Sequence, residues 1–397
     1  MSSASGDVPG QRDPASATPS ASAKPPAGSH APTGGASFDA WEQGAKPSGS
    51  DPIRLADFEA LALAKMPPEL GAYYSGAAND EVTLADNIAA FGRRRFLPRI
   101  GVGVEGRGTS VEVLGRRWPT PFMVAPMSLH RLADPEGEVA VARACAARNL
   151  VFSLSTVGSS TIEDVASTGA ARWFQLYLLD DPGRNRELLA RAEAAGYEAI
   201  ILTMDAPILG RRERDIRTGF SLPSGVGYAN IRRGAIKRGD TYGDDAFKPE
   251  NTWDDLAWVV GATRLPVVVK GVLRADDAVH ALDLGGAAVN VSNHGGRQLD
   301  QSIAAIDALP AVADAVAGRA PILLDSGIRR GTDVLIALAL GARAVMLGRP
   351  VLWSLAWGGE RGVGLAFDLL TAEVNLAFDL AGVRSPAEAS RDLLVGA

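Results

Sequence analysis

The chain is poor in cysteine. Cys145 is the only one among 397 residues, so a disulfide framework is excluded. The stretch around it, AVARACAARN, is rich in alanine and predicts a helix in which the thiol is a small buried side chain. We therefore do not expect a cysteine nucleophile.

Excess positive charge and long apolar runs are also missing. The chain has 40 basic and 46 acidic residues and a net charge of −6, which provides no basic field for nucleic acid. No apolar run reaches the roughly 20 residues that span a bilayer. The N-terminus lacks the apolar core of a signal peptide. We expect a cytoplasmic protein without a membrane or nucleic-acid partner.

The composition divides the chain into a tail and one large domain. Residues 1–50 are rich in Ser, Ala, Pro and Gly and show no periodicity, which predicts disorder. The remaining residues, 51–397, belong to a chain with 46% hydrophobic residues and can bury a large core. Order begins with a helical pattern over residues 55–66, which Pro67 and Pro68 end.

Eight short apolar runs alternate with helical patterns. The runs lie at 121–126, 151–155, 173–178, 199–205, 266–271, 288–294, 321–327 and 344–350. Helical patterns occur at 136–148, 162–167, 184–195, 253–260, 275–284, 304–316 and 332–340, and a last one at 362–380. This alternation predicts an α/β fold, a (β/α)8 TIM barrel preceded by a helical segment. A doubly wound open sheet is the alternative, but its glycine-rich first turn is missing from PFMVAPMSLH.

Polar groups stand at the carboxyl ends of nearly all these strands, where a barrel builds its active site. The most informative stretch is AVNVSNHGGRQLD, in which a buried strand ends at His294 and is followed by two glycines and Arg297. An imidazole and a guanidinium so close together suggest chemistry on a small anion. A core histidine beside a surface arginine is the alternative.

The loops after the seventh and eighth strands predict a phosphate site. Barrels frequently bind phosphate there through backbone N–H groups and a helix N-terminus. Gly327, Gly331 and Gly348 permit close approach of the backbone, and Arg349 supplies charge. A cofactor with a phosphate group is therefore expected.

The motifs at the strand ends resemble those of the FMN-dependent α-hydroxy-acid oxidases and dehydrogenases, the group of glycolate oxidase, lactate oxidase and mandelate dehydrogenase. The matching pieces follow in family order: Ala72-Tyr-Tyr-Ser-Gly-Ala, Ala125-Pro-Met-Ser, Asp134-Pro-Glu-Gly-Glu, Phe174-Gln-Leu-Tyr, Thr203-Met-Asp-Ala-Pro, Leu209-Gly-Arg-Arg-Glu-Arg-Asp, Val269-Lys-Gly, Val291-Ser-Asn-His-Gly-Gly-Arg-Gln, Asp325-Ser-Gly-Ile-Arg-Arg-Gly-Thr-Asp and Leu347-Gly-Arg-Pro. The resemblance covers residues from about 52 to the C-terminus. It implies FMN-dependent oxidation of a small L-2-hydroxy acid to the 2-oxo acid, with O2 as acceptor and H2O2 as product.

The resemblance also implies residue roles. His294 is expected to be the base, and Asp205 to stabilise its protonated form, because a nearby carboxylate raises the pKa of a histidine. Whether the proton leaves Cα or the hydroxyl stays open. The catalytic set is His294, Asp205, Tyr177 and Lys270. The substrate-binding set is Tyr73, Tyr177, Arg212, His294 and Arg297.

For FMN, the resemblance implies contacts from most strand ends. Lys270 is expected near the N1 and O2 atoms of the flavin. The full cofactor-binding set is Pro126, Met127, Ser128, Ser155, Gln175, Thr203, Lys270, Ser292, Asp325, Ser326, Gly327, Arg329, Gly348 and Arg349. No metal site is expected. The resemblance further implies a homotetramer.

Three departures from the family pattern bear on specificity. Val157 stands where plant glycolate oxidase has a tryptophan, which suggests either a substrate side chain larger than that of glycolate or simply an altered pocket. Ser326 replaces the commoner glycine. The segment 221–251 resembles the mobile loop of the family but is short and polar, without the long insertion of lactate monooxygenase.

Three other functions stay open. The same site can serve a dehydrogenase that uses a quinone or protein acceptor. It can also serve a tailoring oxidase of an aryl hydroxy acid, an amine or a carrier-bound substrate. A catalytically silent barrel is disfavoured by the complete set of candidate residues.

Overall fold

The computed structural model describes residues 51–231, 247–248 and 250–395. The predicted disordered tail, residues 1–50, lies outside the described residues, as does most of the second half of the predicted 221–251 loop. Within the described part, no helix has both the length and the apolar character needed to cross a bilayer.

Eight parallel strands form the central sheet and confirm the predicted barrel. They are β4 (Phe122–Val124), β5 (Val151–Ser155), β6 (Ala171–Leu176), β7 (Ile200–Thr203), β8 (Val267–Val272), β9 (Ala288–Val291), β10 (Ile322–Leu324) and β11 (Ala344–Leu347). The sheet runs in the order β4-β11-β10-β9-β8-β7-β6-β5. A parallel bridge between Met127 and Leu154 joins the two outer strands, so the sheet closes on itself. The open-sheet alternative is therefore wrong.

Helices follow the strands as the alternating pattern predicts. They are α4 (Gly137–Ala146), α5 (Ile162–Ala166), α6 (Pro182–Ala194), α7 (Glu213–Thr218), α8 (Trp253–Ala262), α9 (Ala275–Asp283), α10 (Ala305–Val316), α11 (Gly331–Ala339) and α12 (Arg349–Ala381). Helices α5 and α8 begin at capping boxes on Thr161 and Thr252, in which each threonine hydroxyl accepts from a backbone N–H in the first turn.

A helical segment precedes the barrel. It comprises α1 (Asp57–Leu63), α2 (Pro68–Ser75) and α3 (Val82–Ala89). A short hairpin, β2 (Val111–Val113) with β3 (Arg116–Trp118), and a two-residue pair, β1 (Arg95–Phe96) with β12 (Leu394–Val395), complete the described strands.

Among the boundaries that differ from the sequence prediction, two involve prolines. Pro68 does follow the first helix, but it also starts α2, because proline fits the first turn of a helix, where its missing N–H is not needed. The eighth strand was predicted to run to residue 350, whereas β11 ends at Leu347. Arg349 and Pro350 start α12, which reaches Ala381 with non-helical dihedral angles at Gly358 and Gly359.

Strand alternation separates a dry interior from a polar rim. Near the amino ends of the strands, Val151, Trp173, Ile201 and Val268 belong to one cluster of buried apolar residues, which the hairpin covers with Trp118. Two residues further along each of these strands, the same inward face carries a polar side chain. A shift of one residue would turn that whole set outward. The register therefore fixes which polar groups meet at the carboxyl end.

Candidate active site

A cavity of about 540 Å³ opens at the carboxyl ends of the barrel strands. It is the place where such barrels build their active sites. Most of the predicted residues line it: Tyr73, Pro126, Met127, Ser128, Ser155, Gln175, Tyr177, Thr203, Arg212, Lys270, His294, Arg297, Asp325, Ser326, Gly327, Arg329, Gly348 and Arg349. Asp205 and Ser292 lie behind this lining and contact it through His294 and Lys270.

His294 is held between a carboxylate and a phenol. Its Nδ1 lies 2.9 Å from Oδ1 of Asp205, and its Nε2 lies 3.2 Å from the hydroxyl oxygen of Tyr177. Because the carboxylate only accepts, Nδ1 carries the proton, and the Tyr177 hydroxyl donates to Nε2. The nitrogen that faces the cavity is thus the one with a lone pair.

Burial decides the charge state of this pair. Burial lowers the pKa of His294, and the opposing effect of Asp205 does not outweigh it. Asp205 acts in the expected direction, since it raises the pKa of His294, but the effect of burial is larger and the net pKa is lowered. Burial alone would raise the pKa of Asp205, yet His294 and Lys270 together lower it. The structure therefore favours a neutral imidazole beside an ionised carboxylate.

Lys270 is a buried cation with several acidic neighbours. Its Nζ donates to the Ser292 hydroxyl at 2.9 Å and lies 3.5 Å from Asp325 and 3.9 Å from Asp205. Burial would lower its pKa, but the two carboxylates outweigh burial and raise it. A fixed positive charge thus stands at the inner end of the cavity. We call His294, Asp205, Tyr177 and Lys270 the reacting end.

Hydrogen-bonding groups suited to a planar heterocycle line the adjoining strand ends. The Ser155 hydroxyl donates to Oε1 of Gln175 at 2.6 Å, and Nε2 of Gln175 donates to the Thr203 hydroxyl at 3.0 Å. These contacts run across β5, β6 and β7, whose register places Ser155 beside Gln175. They hold donors and acceptors in fixed directions along one side of the cavity.

Two half-buried guanidinium groups, those of Arg329 and Arg349, line another part of the cavity. Arg349 donates to the backbone carbonyls of Tyr74, Gly76 and Gly295 at 2.8–3.0 Å. Burial lowers the pKa of Arg349 strongly, and the neighbouring cations Arg297 and Arg329 lower it further. Burial also lowers the pKa of Arg329. Cations that repel one another in a dry site fit a bound anion such as a phosphate, so the residues present fit FMN.

The expected carboxylate clamp has one arginine fixed to the backbone and one aimed into the cavity. Arg297 donates to the carbonyls of Tyr73 and Gly76 at 2.8 Å and stacks over the Tyr73 ring. Arg212 is buried, and its Nε lacks a hydrogen-bond partner among the described residues. A buried donor without a partner is costly, and a carboxylate in the cavity would satisfy it. Tyr73 bonds to the Ser128 hydroxyl at 2.6 Å.

An apolar wall covers the outer part of the cavity. Its members are Val157, Phe220, Leu222, Tyr228 and Phe247, and we call this set the apolar wall. The Phe220 ring stacks on Tyr73 at a centroid distance of 4.3 Å, and Phe247 meets the Tyr177 ring edge-on at 6.1 Å. The segment 221–251, described above as polar, therefore gives the cavity apolar contacts through Leu222, Tyr228 and Phe247.

Several residues that support the site were not predicted. Asn290 interrupts an apolar strand and donates to Oδ2 of Asp325 at 2.9 Å; its polar side chain inside AVNV was a readable signal. Glu138 is fully buried and accepts from the backbone of His130 and from Ser159. Asn230 accepts from the backbone of Ile162 and donates to the carbonyl of Ser160. Glu138 ends the motif Asp134-Pro-Glu-Gly-Glu, which indicated the family but not this role, and no short sequence pattern identifies Asn230.

Comparison with known proteins points to one group. A family model described as FMN-dependent dehydrogenase matches residues 62–396. An L-lactate oxidase of Nostoc sp. is 46% identical over 347 residues, which cover 84% of this chain and 95% of that protein. A 4-hydroxymandelate oxidase of Amycolatopsis orientalis is 42% identical over 347 residues, with 85% and 97% covered. A crystal structure of mandelate oxidase has a TM-score of 0.82 and 41% identity, with 87% and 98% covered.

Proposed function

We propose that the chain, which belongs to the family of FMN-dependent dehydrogenases, is an oxidase of L-2-hydroxy acids with side chains larger than that of glycolate. The reaction that it catalyses is the FMN-dependent oxidation of 2-hydroxy acids. The observation that carries the proposal is the hydrogen-bonded set of Asp205, His294 and Tyr177 facing a cavity with an unsatisfied guanidinium nitrogen on Arg212.

His294 takes the proton from the substrate. Its neutral Nε2 faces the cavity, and Asp205 stabilises the imidazolium that forms after transfer. Tyr177, which already donates to Nε2, is placed to bond the reacting oxygen. The proton comes from either the hydroxyl or Cα of the substrate. A positioned base of this kind contributes roughly 10²–10⁴-fold to the rate.

Arg212 and Arg297 bind the substrate carboxylate, with Tyr73 beside them. Guanidinium is suited to this role because its planar fork can donate two parallel hydrogen bonds. The contacts of Arg297 with backbone carbonyls fix its plane before the substrate arrives. This preorganisation lowers the entropic cost of orienting the substrate.

The strand-end residues hold FMN. Ser155, Gln175 and Thr203 bond the ring system; Pro126, Met127 and Ser128 line its edge, and Lys270 with Ser292 lies at its inner side. Asp325, Ser326 and Gly327 hold the ribityl chain, and Arg329, Gly348 and Arg349 hold the phosphate. When bound, FMN would accept two electrons from the substrate, and O2 would then take up two electrons and two protons to give H2O2.

The apolar wall selects the side chain of the substrate. Val157 leaves space where the resemblance to glycolate oxidase would place a tryptophan, and Leu222 and Tyr228 extend the apolar contact. A 4-hydroxymandelate oxidase and a mandelate oxidase are among the relatives, which supports an aryl acid as substrate. The identities of the side chain and of the acceptor are separate proposals, and each has its own test.

The decisive test is anaerobic mixing of the FMN-loaded protein with a panel of L- and D-2-hydroxy acids while the flavin absorbance is followed. We expect an L-acid with a bulky side chain to bleach the flavin and glycolate to do so more slowly. Bleaching by none of the acids would contradict the proposal. Admission of air then tests the acceptor: rapid recovery of colour with H2O2 formation supports O2, and slow recovery supports a quinone or protein acceptor.

Location and assembly complete the proposal. We propose a cytoplasmic homotetramer. Three apolar residues are exposed and support self-association: Val82, Leu299 and Ile303. The backbone N–H of Val82 donates to Asp300, which lies between Leu299 and Ile303 in the sequence. Light scattering of the purified protein gives the mass directly, and a monomer would contradict the assembly. Cell fractionation tests the location.

A further inference from the structure

The backbone at His294 has a conformation that needs support. His294 has a φ of 59° and the following Gly295 a φ of 66°, so both lie in the left-handed region. Glycine adopts this region freely, but a histidine there costs energy and persists only where its surroundings hold it. The direction of the imidazole depends on this turn. Something must therefore fix the backbone in addition to the hydrogen bond between the ring and Asp205.

Two serine hydroxyls hold this turn. The N–H of His294 donates to the hydroxyl oxygen of Ser292, and the N–H of Gly295 donates to the hydroxyl oxygen of Ser326, both at 3.0 Å. Each hydroxyl in turn donates to the same atom, Oδ1 of Asp325, at 2.7 Å. A hydroxyl can accept one hydrogen bond and donate another at the same time. One carboxylate oxygen therefore fixes the two hydroxyls that accept from two consecutive backbone N–H groups.

The remaining contacts keep this carboxylate in place. Asn290 donates to Oδ2 of Asp325 at 2.9 Å, and Lys270 lies 3.5 Å from the same oxygen. Hydrogen bonds to an ionised acceptor are shorter and stronger than neutral ones, which suits a fixed anchor. Asp325 is itself buried, so water does not compete freely for it.

The backbone of Ser326 has an unfavourable conformation, which these contacts stabilise. Its φ is 76°, in the left-handed region where glycine has no penalty and serine does. The resemblance implies that glycine is commoner at this position, and glycine would provide no hydroxyl to the turn. The two hydrogen bonds of its hydroxyl offset the backbone cost.

We propose that Ser326, together with Ser292 and Asp325, forms a brace that fixes the backbone of His294, and that Ser326 is a positioning residue for the base. The inference rests on the proposed role of His294. Asp205 orients the imidazole through the ring, and Asp325 orients it through the backbone. The brace also connects the loop after β10 with the loop after β9, and therefore connects the proposed cofactor site with the base.

The test compares Ser326→Gly with Ser326→Ala in the FMN-loaded protein. Both variants remove the hydroxyl, but glycine relieves the backbone penalty and alanine keeps it. We expect both to slow the limiting rate of flavin reduction roughly 10- to 100-fold, because small displacements of a reacting group cost that much. The dissociation constant of the substrate should not change, because Ser326 lies outside the proposed substrate-binding set. Both variants are assayed with saturating FMN, because Ser326 is also proposed to hold the ribityl chain. Ser302→Ala, which removes a half-buried hydroxyl outside the brace from the loop after β9, is the matched control.

A second readout does not depend on catalysis. Hydrogen–deuterium exchange of a peptide containing residues 292–297 should be faster in both variants, because the Gly295 N–H loses its acceptor. A wild-type rate of flavin reduction in Ser326→Gly would overturn the proposal, as would unchanged exchange in both variants. If no acid reduces even the wild-type flavin, the proposed function fails, and the exchange experiment still decides whether the brace exists.

Discussion

The reacting end and the apolar wall line the same cavity but are built from different parts of the chain. The reacting end comes from the ends of barrel strands, and each of its polar groups has a fixed partner at a defined distance. The apolar wall comes from loops and from the segments around residues 220–228 and 247, and it touches its neighbours through rings. The difference suggests that the reaction is set by the barrel, whereas substrate choice can change with the loops.

Burial acts differently in the two regions. At the reacting end burial lowers the pKa values of both His294 and Lys270. The net shifts nevertheless have opposite directions, because the carboxylates outweigh burial only for the lysine. In the apolar wall burial acts on uncharged side chains and contributes shape and hydrophobic area. Substitutions at the reacting end should therefore change rates and pH profiles, and substitutions in the wall should change selectivity.

The largest expected effect is that of His294→Ala. The variant should keep FMN, and its rate of flavin reduction should fall by roughly 10²–10⁴-fold, because His294 is the histidine that lines the cavity among the described residues. Stopped-flow absorbance gives the rate, and the flavin spectrum reports cofactor binding. His280→Ala removes an exposed imidazole and serves as control. Turnover preserved in His294→Ala would show that the reacting end does not depend on this base.

Asp205→Asn should have the next largest effect, about 10²-fold on flavin reduction, since the amide no longer stabilises the imidazolium. The sign of the pH effect follows from the structure. Burial keeps the pKa of His294 below its ordinary value, so the rate of the wild type should fall only as pH drops below about 6.5.

Asp205 opposes that lowering, so its replacement should move the acidic limb of the profile to still lower pH. The measurement is the rate of flavin reduction as a function of pH in both proteins. A limb that stays in place, or moves to higher pH, would contradict the assigned pairing between Asp205 and His294.

Arg212→Lys should weaken substrate binding by roughly 10-fold, because a hydrogen bond to a charged group is worth about 1.5–3 kcal/mol. Lysine keeps the charge but cannot supply the Nε donor that lacks a partner. Arg211→Lys is a matched control, since Arg211 is the adjacent residue, 67% exposed, and pairs with Glu213. Equal substrate dissociation constants in the two variants would remove Arg212 from the clamp.

The difference between the reacting end and the apolar wall explains which parts of the site the sequence could predict. Ser155, Gln175, Thr203 and Lys270 interrupt apolar strands near their ends, and a barrel brings such ends together, so their positions were readable. The ends of strands and helices were harder to predict. Arg349 was predicted at the end of a strand but is the first residue of α12, because the backbone turns at Gly348.

The apolar wall was not readable, with the exception of Val157. Leu222, Tyr228 and Phe247 lie on a segment with no periodicity, and apolar loop residues carry no sign of which cavity they face. The net pKa shift of His294 could not be predicted either, since it depends on how far burial exceeds the effect of one carboxylate. Both quantities arise from packing between distant segments.

The smallest expected effect on the reaction itself is that of Val157→Trp, which tests the apolar wall alone. A larger side chain there should lower the ratio of the specificity constants for a bulky acid and glycolate by roughly 10-fold or more, since differences of this size in apolar pockets are worth about 1–3 kcal/mol. Flavin reduction by saturating glycolate should keep its rate and pH profile, because the contacts of His294 lie on other strands. Val104→Trp, at an exposed position outside the cavity, controls for added bulk. If Val157→Trp instead slows the reaction with both acids equally, the apolar wall and the reacting end are coupled. In that case the reacting end does not set the rate independently of the wall that selects the substrate.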